Sequence, residues 1–378
     1  MSANKPPFDG EWVRLNQLCM KGRSALRQKD LIDGGPYAVY GASGIIGSMS
    51  TFQNGARYVA VVKDGAGVGR VNLCSARTSV LGTMQALIPT EMVLPEYLLH
   101  LIRAMRLGDG FSGSTIPHIY FKDYGQRLVR YVSMADQERI VGTLGSIEDQ
   151  IDILHQQNER LDTLVKSRFV EMFGDPASNP FGHEVRPLGE VLSVQPSNGL
   201  YKPQKDYVTD SSGTLIIRID SFRSDGPDYN SLKRLRCSEN ERMRYGLKEN
   251  DIVINRVNSV GCMGKTMLVS NIPEKVVFES NMMRLHSDES IMIPKFLCIQ
   301  MTSDYSKSYF EVNAKKAIGQ ASINQKDVRG LPVFIPELDC QKAFLSFVAE
   351  VDKSRFIVQR KVEKLQTLYD SLAQEYFG

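Results

Sequence analysis

The stretch IVGTLGSIEDQIDILHQQNERLDTLVKSRFVEM, residues 140–172, decides the fold of this chain. Its apolar positions recur at alternating steps of four and three residues, which is the heptad spacing of two helices that pack along a shared seam. The seam positions are Ile140, Leu144, Ile147, Ile151, Leu154, Asn158, Leu161, Val165, Arg168 and Met172. An isolated helix with such a seam would expose too much apolar surface, so this helix needs a partner.

The same pattern occurs a second time, 204 residues further along the chain. Its positions are Phe344, Val348, Val351, Arg355, Val358, Val362, Leu365, Tyr369, Leu372 and Tyr376. The two copies align without a gap, beginning at Ile119 and Ile323 and ending at Gly174 and Gly378. An internal repeat is a structural unit, and here the unit is a globular segment followed by a long helix.

The repeat predicts that the two helices pair antiparallel, with the globular segments at opposite ends and a pseudo-two-fold relation between them. We predict that the seam residues from Ile140 to Leu161 and from Val348 to Leu365 form this coiled-coil interface. In this register Asn158 would face Arg355, giving a polar layer that sets the register. The alternative is that the helix pair simply tolerates the two polar residues.

The predicted fold class is α+β, with two mixed globular lobes and two long helices. Lobe 1 is residues 1–135, and lobe 2 is residues 175–336. A central helix at 136–174 would begin with Asp136 as its N-cap, and a C-terminal helix would occupy 337–378.

The composition is typical of an intracellular globular protein. The apolar fraction is 42%, no stretch approaches the roughly 18 apolar residues of a membrane span, and the N-terminus lacks the apolar core of a signal peptide. The six cysteines include no C-x-x-C pair, so we expect reduced thiols and a cytoplasmic location.

The net charge of +3 is uneven, with +6 and +2 on the lobes and −4 and −1 on the helices. Basic lobes favour a polyanion such as DNA.

Both lobes place an apolar strand before a polar turn that contains glycine. Residues 58–62 read as a buried strand followed by GAGVG at 65–69, and residues 251–254 read as a strand followed by a turn that reaches Gly264. Neither loop has the G-x-G-x-x-G spacing and following helix of a dinucleotide site. Two interpretations stay open, a structural turn or a close approach to a DNA backbone. The basic residues that flank these loops are Lys63, Arg70, Arg256 and Lys265.

The duplicated lobe-and-helix unit resembles the specificity subunits of type I restriction-modification systems. The order of short motifs carries the resemblance, and these are YGASGIIG at 40–47, GDP, NPFG and VRPLGE within 174–190, INR at 254–256, GK at 264–265 and IGQASIN at 318–324. The likeness covers essentially the whole chain, although the two lobes differ in length.

The resemblance implies two target recognition domains, each reading one half of a bipartite, gapped DNA site. It also implies that the helices dock two modification subunits, which bind S-adenosylmethionine and methylate adenine, and that a restriction subunit can join for cleavage. This chain would then need no cofactor of its own. Target sequences in this family vary with the lobes, so the resemblance does not imply which residues of this chain contact bases.

Candidate DNA-binding residues lie in the turns of the lobes and at the junctions that lead into the repeated helices. They are Ser43, Lys63, Arg70, Thr115, His118, Arg256, Asn258, Lys265, Lys315, Lys316, Gln320 and Ser322. Lys and Arg suit phosphate and guanine, and Gln and Asn suit adenine. The alternative for the junction residues is a polar loop that packs on its own lobe. His118 has no second histidine at ligand spacing, which favours a structural role over a metal site.

Two other functions compete with DNA reading. An enzyme that holds a nucleotide or methyl donor would need a motif, but the chain has no P-loop, and SNPF at 178–181 only partly matches the N-P-P-F type of methyltransferase motif. A pure coiled-coil scaffold would not require basic lobes that repeat one plan. We therefore predict a DNA-binding subunit without catalytic residues and without a metal.

Overall fold

The computed structural model describes residues 8–65, 67–110, 117–222, 226–258, 263–317 and 320–378. Helices and sheets are mixed within each lobe, which confirms the predicted α+β class. The chain divides into two compact units. Unit 1 comprises Met1–Asn158 with Phe356–Gly378, and unit 2 comprises Glu159–Arg355. Each long helix therefore contributes to both units, and the division into four segments stays a prediction.

Unit 1 contains lobe 1, the first part of the central helix and the last part of the C-terminal helix. Its strands are β1 Gly10–Arg14, β2 Cys19–Lys21, β3 Tyr37–Gly41, β4 Gly44–Met49, β5 Tyr58–Val62, β6 Val71–Cys74, β7 Ser79–Val80, β8 Met84–Pro89 and β9 Leu128–Val132. Its helices are α1 Leu15–Leu18, α2 Pro95–Ala104, α3 Phe121–Tyr124 and the start of α4 Met134–Phe173.

The core of unit 1 is built around β5, which lies inside the antiparallel sheet β2-β8-β5-β6. All five residues of β5 are buried because both faces of the strand are covered. Val59 and Val61 join a cluster that includes α2 and both long helices. Tyr58, Ala60 and Val62 face a second cluster. Such a strand reads as a continuous apolar run, which is why its bounds agree with the prediction.

Unit 2 contains lobe 2 and the remaining parts of the long helices. Its strands are β10 Glu184–Pro187, β11 Leu192–Asn198, β12 Tyr207–Val208, β13 Thr214–Ile217, β14 Lys233–Leu235, β15 Ile252–Asn255, β16 Val257–Asn258, β17 Thr266–Leu268, β18 Val276–Phe278, β19 Met282–Ser287, β20 Lys315–Ala317, β21 Gln320–Ser322 and β22 Pro332–Ile335. Its helices are α5 Glu239–Tyr245, α6 Pro294–Met301, α7 Asp304–Asn313, α8 Gln325–Arg329 and the start of α9 Leu338–Phe377.

The central sheet of unit 2 repeats that of unit 1. Its strand order is β11-β19-β15-β17, and all its pairs are antiparallel. The central strand β15 again divides its side chains between two clusters, with Ile252 and Ile254 on one face and Val253 on the other. Lobe 2 adds a second four-stranded sheet, β12-β14-β13-β18, where lobe 1 has the three-stranded β4-β3-β7.

The seam of the long helices is buried where it meets the two lobes. In unit 1, Ile140, Leu144 and Ile147 are buried in one cluster with Tyr369 and Tyr376. The remaining predicted interface positions in this unit are buried at Leu154 and half-buried at Ile151, Asn158, Val358, Val362 and Leu365. Thr143 interacts with Tyr376, and Glu148 interacts with Tyr369. As the residue number increases along α4, its contact partner in α9 has a lower number. The two helix segments in this unit are therefore antiparallel.

In unit 2 the seam is aromatic. Val348 and Val351 are buried beside Phe169, Phe173 and Phe344, whereas Leu161 is half-buried. The heptad pattern did not include Phe169 and Phe173, which pack on the lobe.

Arg355 is a half-buried interruption of the seam in unit 2. Its guanidinium donates to the carboxylates of Asp162, at 2.6 Å, and Asp352, at 2.8 Å. The charge is therefore balanced within the unit. The pairing of Arg355 with Asn158 stays a prediction.

The prediction of Asp136 as the helix N-cap is wrong. Helix α4 begins at Met134, and the hydroxyl oxygen of Ser133 accepts the backbone N–H of Asp136 at 3.2 Å. The Ser133 hydroxyl also donates to the Asp136 carboxylate at 2.8 Å. Ser133 is the cap, and Asp136 supplies the acidic residue of the first turn, where a carboxylate stabilises the positive helix end.

A buried glutamine anchors each long helix to its lobe. The side-chain oxygen of Gln137 accepts the N–H of Leu94, and its nitrogen donates to the carbonyls of Met92 and Val132. Gln341, 204 residues later, makes the matching three bonds to Ile293, Ile291 and Pro336. Because Leu94 and Ile293 are the N-cap residues of α2 and α6, the glutamines satisfy helix-end donors that would otherwise be buried without a partner.

Candidate nucleic-acid interface

The four basic residues that flank the glycine loops occupy two matching positions. In lobe 1 the Val62 N–H donates to the Arg70 carbonyl at 2.8 Å, and the Gly69 N–H donates to the Val62 carbonyl at 2.8 Å. In lobe 2 Asn255 makes the same pair of bonds with Lys265 and Gly264, at 2.8 and 2.9 Å. Hence Arg70 matches Lys265. The residues that follow the strands, Lys63 and Arg256, match in the same way.

The two matching glycines approach their own lobes closely. Gly69 has φ +85°, and a Cβ there would lie 2.3 Å from the backbone nitrogen of Gly108. Gly264 has φ +74°, and a Cβ there would lie 2.7 Å from the ring of Phe310. Both positions therefore need glycine for internal packing and backbone conformation. This favours a structural turn for these two residues over an approach to DNA.

In each lobe the residue directly after the central strand, Lys63 or Arg256, hydrogen-bonds to the segment that leads into the repeated helix. The Lys63 carbonyl accepts the N–H of Ile119 at 3.0 Å, and the Arg256 carbonyl accepts the N–H of Ile323 at 2.9 Å. Ile119 and Ile323 are 204 residues apart, so the join is repeated along with the helices.

Lobe 1 brings Ser43, Lys63, Arg70 and His118 to one end of its central sheet. The Gly65 N–H donates to the Pro117 carbonyl at 3.1 Å, which places His118 beside the hairpin. Ser43 is exposed in the β3–β4 turn. The neighbouring Ala42 approaches Gly67, where an added Cβ would lie 3.6 Å away. Arg70 is exposed as well.

His118 is held by a carboxylate. Its Nδ1 lies 2.6 Å from Oδ1 of Asp64, and its ring stacks on Tyr120 at a centroid distance of 6.3 Å. No cluster of three or more His, Cys, Asp or Glu side chains suited to a metal ion occurs among the described residues. These contacts fix the orientation of the His118 ring, and both its structural role and its place among the DNA-binding candidates stay predictions.

Lobe 2 gathers its junction residues onto one small sheet. Strands β16, β21 and β20 form a three-stranded antiparallel sheet. It carries Asn258, Lys315, Lys316, Gln320 and Ser322, of which the two lysines and Gln320 are exposed. The predicted residues from two distant segments thus lie on one sheet. Thr115, the corresponding prediction in lobe 1, lies outside the described residues.

Arg256 and Lys265 differ in availability. The Arg256 guanidinium is half-buried and donates to the Ser280 carbonyl at 3.1 Å. Lys265 is exposed. Arg256 therefore secures the lobe at least as much as it offers a charge to a ligand.

Sequence reasoning missed two exposed aromatic residues near these positions. Tyr201 is 77% exposed, yet its neighbour Leu200 is fixed by backbone bonds to Phe278 and Ser280. Tyr120 is half exposed beside His118. A rigidly held, exposed aromatic ring suits stacking on a base. Tyr201 lies outside the repeat, and Tyr120 lies inside it but is replaced by Asn324 in the second copy, so only the folded surface reveals them.

Buried titratable groups lie away from this surface. His100 on α2 is within 2.8 Å of the Tyr369 hydroxyl on α9, and both side chains are buried. Burial lowers the pKa of His100 to about 4, with Arg103 acting in the same direction. Burial raises the pKa of Tyr369 to about 12, as does the neighbouring Glu148. At neutral pH the pair is uncharged and anchors lobe 1 to α9.

A family model described as the type I restriction modification DNA specificity domain matches residues 180–367. The StySPI specificity subunit of Salmonella potsdam is 21% identical over 76% of this chain and 65% of its own length. The EcoKI specificity subunit of Escherichia coli is 20% identical over 76% and 64%. A provisionally named type I specificity subunit of Methanocaldococcus jannaschii is 25% identical over 52% of this chain and 46% of its own length. The matched part thus spans about half to two thirds of these relatives.

The fold is similar to that of a solved type I S subunit from M. genitalium. The match has a TM-score of 0.52 at 13% identity and covers 100% of this chain and 98% of the other. At this identity the likeness concerns the fold. The duplicated lobe-and-helix architecture, the repeated basic hairpin and the matched specificity domain agree with one another. The chain therefore belongs to the family of specificity subunits of type I restriction-modification systems.

Proposed function

We propose that this chain selects the DNA target of a type I restriction-modification complex, with each lobe reading one half of a bipartite, gapped site. The observation that carries the proposal is the repeated join in which a basic hairpin meets the segment before a long helix. Two readers built on one plan but carrying different side chains suit two different half-sites. Basic residues on the hairpins would bind phosphates, and the polar sheet β16-β21-β20 would present side chains to base edges.

The proposed partners of the long helices are two modification subunits. Apolar side chains are exposed on these helices at Ile153, Phe356 and Ile357 in unit 1 and at Leu164 and Val170 in unit 2. These exposed side chains, of which Phe356 and Ile357 are adjacent, are the proposed contacts with the modification subunits. S-adenosylmethionine and the adenine methylation would belong to the modification subunits, and a restriction subunit would join the same complex for cleavage.

This chain would itself be non-catalytic and would work in the cytoplasm, where the DNA and the partners are found. No helix in the described part of the chain is long and apolar enough to cross a membrane. The competing functions are an enzyme with its own methyl donor and a scaffold that does not read DNA. Neither accounts for two basic hairpins that match bond for bond.

Sequencing of methylated bases tests the proposal. The chain is co-expressed with its modification subunits in a host that lacks adenine methylation. We expect methyl-adenine in a gapped site of two short sequences, and none when this chain is omitted. Methyl transfer by the purified chain alone would support the enzyme alternative. Methylation without sequence preference would support the scaffold.

A further inference from the structure

Lobe 1 contains a basic pocket beside the join between its hairpin and its repeated segment. The pocket has a volume of about 280 Å³, and its walls include Lys21, Lys63 and Lys122 together with Tyr120 and Gln85. Lys21 comes from β2, Lys63 follows β5, and Lys122 lies on α3. Three separate elements thus each contribute a lysine to one concave surface, whose walls also include Ile119 and Phe121.

The charges in this pocket are poorly balanced by the protein. The Lys63 ammonium lies 3.8 Å from Asp64, whose carboxylate also binds His118 at 2.6 Å. In the part of the chain that the structure describes, no carboxylate lies within ion-pair distance of Lys21 or Lys122. The Lys122 ammonium instead sits 5.4 Å from the centre of the Tyr120 ring. Two lysines without a described ion-pair partner, beside a third that shares its carboxylate with His118, leave the pocket with a net positive charge, which attracts an anion.

Two walls of the pocket, Gln85 and Tyr120, are held by contacts within the lobe. Gln85 is only 4% exposed, and its amide nitrogen donates to the carbonyl of Ala86 at 2.9 Å. Tyr120 is stacked on His118, which is fixed by Asp64. These two walls are therefore in place before a ligand binds, whereas the exposed Lys21 and Lys122 side chains would be ordered by it.

We infer that this pocket binds one phosphodiester of the DNA backbone at the half-site read by lobe 1. The inference rests on the proposed function, since it supplies the polyanion. The pocket adjoins the predicted DNA residues because Lys63 is both a pocket wall and the residue whose carbonyl binds Ile119. Lysine binds phosphate as a point charge without reading sequence. The pocket therefore fixes the position of lobe 1 on the duplex.

Lobe 2 uses the matching positions differently. Tyr120 corresponds to Asn324, whose side chain caps α8 by accepting the N–H groups of Lys326 and Asp327. Lys63 corresponds to Arg256, which donates to the Ser280 carbonyl. The phosphate clamp thus belongs to lobe 1. Lys326, the exposed counterpart of Lys122, offers a matched control.

The test measures DNA affinity against salt concentration for the complex assembled with modification subunits. Each phosphate contact contributes about 0.9 to the slope of log K against log salt on duplex DNA. The double variant Lys21→Gln/Lys122→Gln should make that negative slope shallower by about 0.9 and keep the ranking of target sequences. The control Lys326→Gln should keep both. An unchanged slope in the double variant, or an altered base preference, would overturn the phosphate clamp.

A second measurement removes the charge from the DNA instead of the protein. Duplexes in which single phosphates are replaced by neutral methylphosphonates should include one position that weakens wild-type binding but not binding by the double variant. A series with no such position would overturn the clamp even if the double variant were unstable. A wild-type complex without sequence preference would contradict the proposed function, whereas the salt slope would still test the pocket.

Discussion

Lobe 1 and lobe 2 have the same central sheet order, and β5 and β15 occupy the same place in it. The hairpin bonds at Val62 and Asn255 agree to within 0.1 Å, and so do the bonds that join each lobe to its repeated segment. The side chains at these positions nevertheless differ. The backbone bonds that attach a reader to its helix are thus kept in both copies, whereas the pocket and surface residues diverge. Under the proposed function, two lobes built on one frame would then select different sequences.

The largest expected effect concerns the two buried glutamines that the lobes share. Gln137→Leu and Gln341→Leu should each lower the free energy of unfolding by about 4 kcal/mol, because three hydrogen bonds are lost and buried groups are left unpaired. Chemical denaturation measures the loss. The exposed Gln156→Leu is the control and should leave the midpoint nearly unchanged. Equal losses of unfolding free energy in the two variants would support equivalent roles for Gln137 and Gln341. A loss in only one variant would contradict that equivalence.

Lobe 1 has a buried histidine, His100, that should make stability depend on pH, and lobe 2 has no titrating residue at the matching position. The matching position to His100, counted from the caps Leu94 and Ile293, is Ile299, which does not titrate. Burial lowers the pKa of His100 from 6.5 to about 4, so the unfolded chain binds the proton more tightly. The stability contributed by the neutral, buried His100 is fully present above pH 6.5 and is lost as the pH falls from about 6.5 to about 4.

The pH-dependent loss should reach about 3 kcal/mol at most. Unfolding midpoints of the wild type and of His100→Gln, measured across this pH range, isolate the contribution of the histidine. The difference between the two proteins should shift in favour of the variant as the pH falls. A constant difference would show that His100 is not held neutral by burial.

The matching glycines should differ in tolerance. Gly69→Ala should lower the free energy of unfolding by about 2 kcal/mol or more, because φ is positive and the obstacle is the backbone of Gly108. Gly264→Ala should lower it less, since its nearest contact is longer, 2.7 Å against 2.3 Å, and is the buried ring of Phe310 instead of backbone. Gly44→Ala, with φ +111° and open space around it, measures the backbone strain alone. Thermal unfolding ranks the three variants, and a loss at Gly69 no larger than at Gly44 would refute the close approach.

The smallest expected effect is a gain in stability. Asn255 is fully buried, and its side-chain amide has no hydrogen-bond partner among the described residues, whereas the matching residue of lobe 1 is Val62. Asn255→Val should therefore raise the free energy of unfolding by about 1 kcal/mol. The reverse change, Val62→Asn, should lower it. Denaturation of both variants tests this exchange, and a destabilised Asn255→Val would mean that the amide has a role the structure does not explain.

The sequence could predict features that repeat or that lie close together along the chain. The 204-residue repeat gave the two-unit architecture, and the apolar run 58–62 gave β5 with its observed bounds. The strand–glycine–basic pattern identified the basic residues that flank the two loops, although the loop spacing differs, and the backbone hydrogen bonds then matched Lys63 with Arg256. These signals are local, so they survive without knowledge of the tertiary fold.

Features that depend on distant contacts could not be predicted. The Gln137 anchor requires Met92 and Leu94, which come from a different part of lobe 1. The basic pocket needs Lys21 on β2 to lie near Lys122, and only the pairing of β2 with β8 brings it there. The N-cap was misplaced because an acidic first turn looks like a cap in sequence, whereas the hydrogen bonds identify Ser133.

The most direct test of two independent readers exchanges one of them. Residues 1–135 are replaced by lobe 1 of another specificity subunit, and the methylated site is sequenced after co-expression with the modification subunits. The proposal predicts that one half-site changes while the other half-site is retained. A change in both half-sites, or in neither, would contradict it.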